Sequence, residues 1–179
     1  DDQAWCYAVL QRDLYARMKA HYRSLGYDGL TNATNWTTAD TTRLGDLERW
    51  SYGAMDVAAV NRYYDGGVHV GENNGWRIDP GHKFSGGSAL RFPRDLPMNL
   101  RQPKGMPIVI TESAWVWPNQ TQSEGPIVSA VQMSVTGVDA FYWFAATDPT
   151  YIKDFLFRFA TLPGGHPTQK WTGSTPQQQ

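Results

Sequence analysis

Pro107-Ile108-Val109-Ile110-Thr111-Glu112-Ser113-Ala114-Trp115 is the stretch on which the fold turns. A turn at Gly105-Met106-Pro107 opens it, an apolar β-branched run follows, and a carboxylate stands where that run stops. Short runs of this kind, bounded by turn residues, read as buried strands. In a parallel α/β barrel, chemistry sits where each strand runs out at its C-terminal end. Glu112 is therefore read as a functional carboxylate. A lone Glu more often pairs with an Arg and supports a loop, but Trp115 and Trp117 beside this one favour a binding site.

Working outward, the preceding strand is Met55 to Asn61, which delivers Asn61-Arg62-Tyr63-Tyr64 at its end. Tyr63 shares strand parity with Val57, Ala59 and Asn61, so these four point to one face. Val138 to Phe144 forms the following strand and ends in Tyr142-Trp143-Phe144, while Tyr27 to Asn35 is an earlier candidate that runs into Trp36. Helical patterns separate them. Tyr7, Leu10, Leu14, Met18, Tyr22 and Leu25 recur at steps of three or four, which predicts an amphipathic helix from Trp5 to Leu25 with Gly26 just past its end. Leu44 to Trp50 reads as a helical turn, Ser88 to Gln102 as a short helix limited by Pro93 and Pro97, and Tyr151 to Thr161 as a last helix. Gly125 to Thr136, with Pro126 near its start and Gly137 after it, is a further helix.

Four strands alternating with helices predict an α/β fold with a parallel sheet and crossover connections. An eight-stranded barrel needs ~250 residues, and this chain has 179. The expectation is half of such a barrel, (β/α)4 with a preceding helix, over residues 1–163, and a polar tail at 164–179. Four strands alone leave two sheet edges unpaired, so the half-barrel is expected to complete eight strands by forming a homodimer.

Composition narrows the function. At 41% hydrophobic and 18% charged the chain is an ordinary globular one, and a net charge of -1 offers no field for nucleic acid or an anionic membrane. No apolar run approaches the ~20 residues of a membrane span. Cys6 is the lone cysteine, which excludes an internal disulfide framework and leaves the compartment open. His69 and His82 share the long Gly-rich stretch with Asp65, Glu72 and Asp79, but their spacing matches no metal motif, and no metal or cofactor is expected. Aromatics stand out: eight Trp and nine Tyr crowd the strand ends, where such rings suit carbohydrate.

Taken in order, Asn35-Trp36, Asn61-Arg62-Tyr63-Tyr64, Ile110-Thr111-Glu112 and Tyr142-Trp143-Phe144 resemble the ends of strands five to eight of a clan A glycoside hydrolase, a retaining glycosidase on a (β/α)8 barrel. The resemblance implies that Glu112 is the nucleophile and that Tyr63, or alternatively Tyr64, orients it. It also implies that Trp143 is the platform under the sugar, although Trp143 reads equally well as a core residue. Asn35 and Trp36 then serve a neighbouring subsite, or cap and pack the helix after them; Asn61 and Trp115 complete the expected carbohydrate-binding set. One feature departs from the pattern. The clan's general acid is the Glu of an Asn-Glu pair, and no Asn-Glu dipeptide occurs in this chain. A non-catalytic, carbohydrate-binding half-barrel is thus the competing expectation.

Overall fold

The structure, a computed structural model, describes residues 2–37, 39–64, 68–70, 77–78, 83–115, 119–144 and 168–169. In chain order the helices are α1 (Asp2–Ser24), α2 (Gly45–Tyr52) and α3 (Gly125–Thr136). The strands are β1 (Ala58–Asn61), β2 (Val68–Val70), β3 (Arg77–Ile78), β4 (Lys83–Ser85), β5 (Ile108–Ser113), β6 (Ala140–Trp143) and β7 (Thr168–Gln169). Three of them form one sheet in the order β1-β5-β6. It is parallel, because residue numbers rise together across both pairings: Ala58 and Arg62 N–H donate to Pro107 and Glu112 O, and Asp139 and Phe144 N–H to Ile108 and Ser113 O. Helix α3 makes the crossover from β5 to β6, so the mixed α/β reading holds.

The chain divides into two compact units, one of residues 1–61, 100–111 and 136–141, the other of 62–99, 112–135 and 142–179. In the first unit, α1 contains neither Gly nor Pro, begins with Asp2 and has His21 and Arg23 in its last turn, matching the helix dipole at both ends. It ends in a Schellman cap. Gly26 N–H donates to Arg23 O (3.0 Å) and Tyr27 N–H to Tyr22 O (3.1 Å), with Gly26 at φ 84°, where a side chain would be strained. Helix α2 packs on α1 through rings: Trp5 and Trp50 are 4.8 Å apart, and the Arg12 guanidinium lies 4.7 Å over Trp50. An amphipathic helix ordinarily buries its apolar stripe. Here Tyr7, Leu10, Leu14 and Leu25 are exposed, and the side turned inward carries Ala8, Gln11 and Tyr15.

The expected first strand, Tyr27 to Asn35, is a correction. It makes a single parallel bridge, Asn32 to Val57, and its polar groups are engaged otherwise: both the amide and the hydroxyl of Thr31 donate to Asp56. Ser88 to Gln102 forms no α-helix; Pro93 and Pro97 restrict it to a 3-10 turn at Pro93–Asp95. The long Gly-rich stretch contains β2 and β4, paired antiparallel, and β3, paired antiparallel with β7 from the polar C-terminal segment. The helix expected at Tyr151 to Thr161 lies outside the described residues, as do the side chains of Asp65, Glu72, His69, Asp79 and His82.

In the second unit, the buried cluster is Tyr64, Ala89, Leu96 and Trp115, with Val128 of α3 and Trp143 packed against it. Helix α3 buries Gly125 and Ser129 and ends at Gly137, φ 76°. It has no charged residue, and its opposite side, Ile127, Val131 and Val135, is 57–78% exposed.

Asp56 ties the first unit together. Its carboxylate accepts from Lys19 Nζ (2.6 Å), Arg23 (3.0 Å), the Thr31 hydroxyl (2.7 Å) and the Thr31 amide (3.0 Å). These bonds, that from Lys19 foremost and those from Thr31 next, hold its carboxyl down to about 2 from an ordinary 3.8. A carboxyl lowered on folding adds stability above its unfolded pKa and loses it as pH falls through the folded value. The Asp56 contribution is therefore complete above about pH 4 and fades between there and about pH 2. Asp56→Ala should cost about 2 kcal/mol near neutrality, because the buried Thr31 donors lose their acceptor. Urea titrations at pH 7 and pH 2.5 should show that difference at the first pH and a much smaller one at the second.

Candidate functional site

The backbone bonds of β5 contain an irregularity that decides which side chains meet. A regular strand turns alternate carbonyls to the same neighbour, so carbonyls facing one neighbour are an even number of residues apart. Pro107 and Glu112 both face β1, and Ile108 and Ser113 both face β6; each pair is separated by an odd number. Burial says the same. Ile108 and Ile110 are buried, Thr111 and Glu112 are both half-buried, and burial resumes over Ser113, Ala114 and Trp115, so the alternation breaks at Thr111-Glu112. One extra residue, a β-bulge, is accommodated at Thr111-Glu112.

Partner side chains confirm where the two residues point. The β1 segment is regular, with Ala58, Arg62 and Tyr64 N–H directed to β5 and Val57 and Asn61 N–H to the 31–35 segment. Asn61 and Tyr63 therefore share a face. The Thr111 hydroxyl donates to Asn61 Oδ1 at 2.7 Å, and the Tyr63 hydroxyl donates to Glu112 Oε2 at 2.7 Å. Neighbours Thr111 and Glu112 thus both lie on the face opposite Ile110, which a regular strand would forbid.

Glu112 is half-buried, and among the described residues its Oε1 accepts no hydrogen bond. Its partner Tyr63 is held in the phenol form, its pKa raised first by burial and then by the Glu112 carboxylate that its hydroxyl serves. A neutral phenol donating to a carboxylate fixes the carboxylate's rotamer and leaves the second oxygen available for chemistry.

The remaining aromatics of the second unit form a different structure. Tyr64 and Trp115 are wholly buried, 4.9 Å apart, and Trp143 lies 6.0 Å from Trp115. The Tyr64 hydroxyl donates to Gly87 O (2.9 Å), not to Glu112. Its pKa is pushed up to about 12, by burial first and then by Glu124 and Asp95. Trp143 reaches the first residue of α3, where a Cβ built on Gly125 would stand 2.7 Å from Cη2 of Trp143 and 3.0 Å from Cε3 of Trp115. The structure therefore gathers Tyr64, Trp115 and Trp143 into a core, and Tyr63 with Glu112 apart from it. In the first unit, Asn35 O accepts from Asn61 N–H (2.6 Å), and Trp36 is 68% exposed.

The Glu124 carboxylate is engaged elsewhere: its Oε2 accepts from Ala89 N–H (2.8 Å), a tie between a loop and the turn before α3. Among the described residues, no group of three or more His, Cys, Asp or Glu is arranged to hold a metal ion. No helix among them is long and apolar enough to cross a membrane. Thr111 and Gly125 escaped the sequence reading. A bulge leaves no mark on an apolar run as short as Ile108-Val109-Ile110, and Gly125 resembles an ordinary helix start until its distance to Trp143 is known. Comparison of the chain with known protein families, curated proteins and solved structures finds no match.

Gly125 has φ -51° and ψ -55°, ordinary helical values that do not require glycine, so contact is what excludes a side chain there. Gly125→Ala should destabilise the protein by about 1–3 kcal/mol through overpacking, although Ala is the better helix former. The urea midpoint at unchanged slope measures it. Gly125→Ala combined with Trp143→Phe should recover part of the loss.

Proposed function

We propose that the chain is a retaining glycoside hydrolase, or a piece of one, in which Glu112 is the nucleophile. The observation that carries this reading is the carboxylate at the end of a parallel strand, held through one oxygen by a neutral Tyr63 hydroxyl 2.7 Å away. In the proposed reaction, Glu112 attacks the anomeric carbon of a sugar as the glycosidic C–O bond breaks. The departing oxygen takes a proton from a second carboxyl, and water then hydrolyses the glycosyl ester. Retention needs the two carboxyls about 5 Å apart.

The second carboxyl is the reason to add a finer proposal: two copies, each a half-barrel of the three-stranded sheet with the 27–35 segment in the place of a fourth strand, join about a two-fold axis to close one barrel. Each Glu112 then stands four strands from its counterpart, and like-charge repulsion leaves one ionised as nucleophile and the other protonated as acid. The exposed apolar stripes of α1 and α3 favour a partner, since such a stripe is ordinarily covered. A binding-only reading has one observation in its favour, the absence of any Asn-Glu pair.

Glu112→Gln separates the two. The amide is nearly isosteric but a poor nucleophile, so hydrolysis of aryl glycosides and polysaccharides should fall by at least about 10³-fold with oligosaccharide affinity retained. Turnover unchanged in that variant removes the nucleophile assignment; parent binding without turnover favours the binding-only reading. Sedimentation at micromolar concentration should give twice the chain mass, and a well-behaved monomer excludes the dimer.

A further inference from the structure

We infer that Trp36, Asn61 and Thr111 form a sugar-recognition site on the first unit, with Thr111 as the positioning residue that aims the Asn61 carboxamide. The inference takes its ligand class and the binding roles of Trp36 and Asn61 from the hydrolase reading and adds to it Thr111, a residue that acts through Asn61.

Register places the three in one row. Asn32 pairs with Val57, and Asn35 O accepts from Asn61 N–H, which keeps the same offset and brings Trp36 level with Asn61. On the other side of Asn61, Thr111 is joined to it directly, by the 2.7 Å bond from its hydroxyl to Asn61 Oδ1. That bond decides what the site offers. A carboxamide has one accepting and one donating end, nearly identical in shape, and only its partners fix which end points where. With Oδ1 held by Thr111, the Nδ2 group is turned away from β5, and among the described residues nothing accepts from it. Two N–H donors at the same level of the register as a 68% exposed indole would make a complementary pair for a sugar ring. The indole face covers apolar C–H groups, and the amide donates to ring hydroxyls.

The bulge is what makes this arrangement possible. Without the extra residue, Thr111 and Glu112 could not share a face, and a chain keeping Glu112 beside Tyr63 would turn Thr111 to the opposite face, away from Asn61. Thr111 has a bland alternative role, as a strand residue satisfying a half-buried amide. A merely structural role predicts equal effects on stability and binding, whereas a positioning role predicts binding loss restored by any hydroxyl at that position.

The test uses Thr111→Val and Thr111→Ser, the first nearly isosteric without the hydroxyl and the second retaining it. Gluco-, xylo- and manno-oligosaccharides are titrated against tryptophan fluorescence and against the Asn61 side-chain amide signal in a ¹⁵N–¹H spectrum. The expected result is a shift of the Asn61 amide on sugar addition, affinity about tenfold weaker in Thr111→Val, and recovery to within about twofold in Thr111→Ser. Melting curves separate unfolding from weakened binding. If sugar binds with equal affinity to the parent and both variants, or binds without moving the Asn61 signal, the inference is overturned whatever Glu112 does. Asn61 shifts without Glu112-dependent hydrolysis uphold the inference and remove the hydrolase reading. If no oligosaccharide binds and none is cleaved, both fall together.

Discussion

The carbonyls of Pro107 and Glu112 turn to the same neighbouring strand although five residues separate them, and the rest of the polar arrangement depends on this. Regular alternation offers a strand only two sets of directions. Along β5 those sets conflict: Ile108, Ile110 and Ser113 are buried, while Thr111 and Glu112 both meet polar partners, Asn61 at the end of β1 and Tyr63 just past it. The periods conflict by one residue, and the bulge absorbs the difference. It also shifts the following segment, so that Trp115 comes level with Tyr64 and the aromatic core forms on the buried side.

A consequence is a division of labour among aromatics that composition does not reveal. Tyr63 and Tyr64 are adjacent and chemically alike, yet one hydroxyl serves a carboxylate and the other a backbone carbonyl. The alternation of β1, continued past Asn61, separates them, one on each face. Trp36 and Trp143 are similarly divided, the first largely exposed and the second packed against Trp115 and the backbone of Gly125.

Where local chemistry dominates, the sequence was legible. The start and stop of α1, the Gly26 cap, α3 between Gly125 and Gly137, and the apolar run of β5 all follow from spacing, punctuation and propensity, which act within a few residues. The parity of Asn61 and Tyr63 was readable for the same reason. What could not be read depends on partners distant in sequence. Tyr27 to Asn35 forms no regular strand because Asp56 takes the Thr31 amide and hydroxyl. The apolar stripe of α1 could be recognised from its spacing, but nothing in the spacing says whether another surface covers it. The bulge is invisible because Val-Ile-Thr-Glu-Ser reads equally well in either register.

The Tyr63–Glu112 bond joins residues 49 apart in sequence, the Thr111–Asn61 bond residues 50 apart, and the Lys19–Asp56 bond residues 37 apart. Closing such loops costs chain entropy that grows only slowly with length, by about 0.6 kcal/mol per doubling, but it must be met before any stabilising contact forms. Helices form in about a microsecond or less, whereas parallel pairing between distant segments is slow. α1 and α3 should therefore exist as fluctuating helices, with apolar stripes open to solvent, well before β1 finds β5. The interval in which this chain is most exposed to association with other molecules is set by the same long-range pairing that brings its carboxylate to its tyrosine.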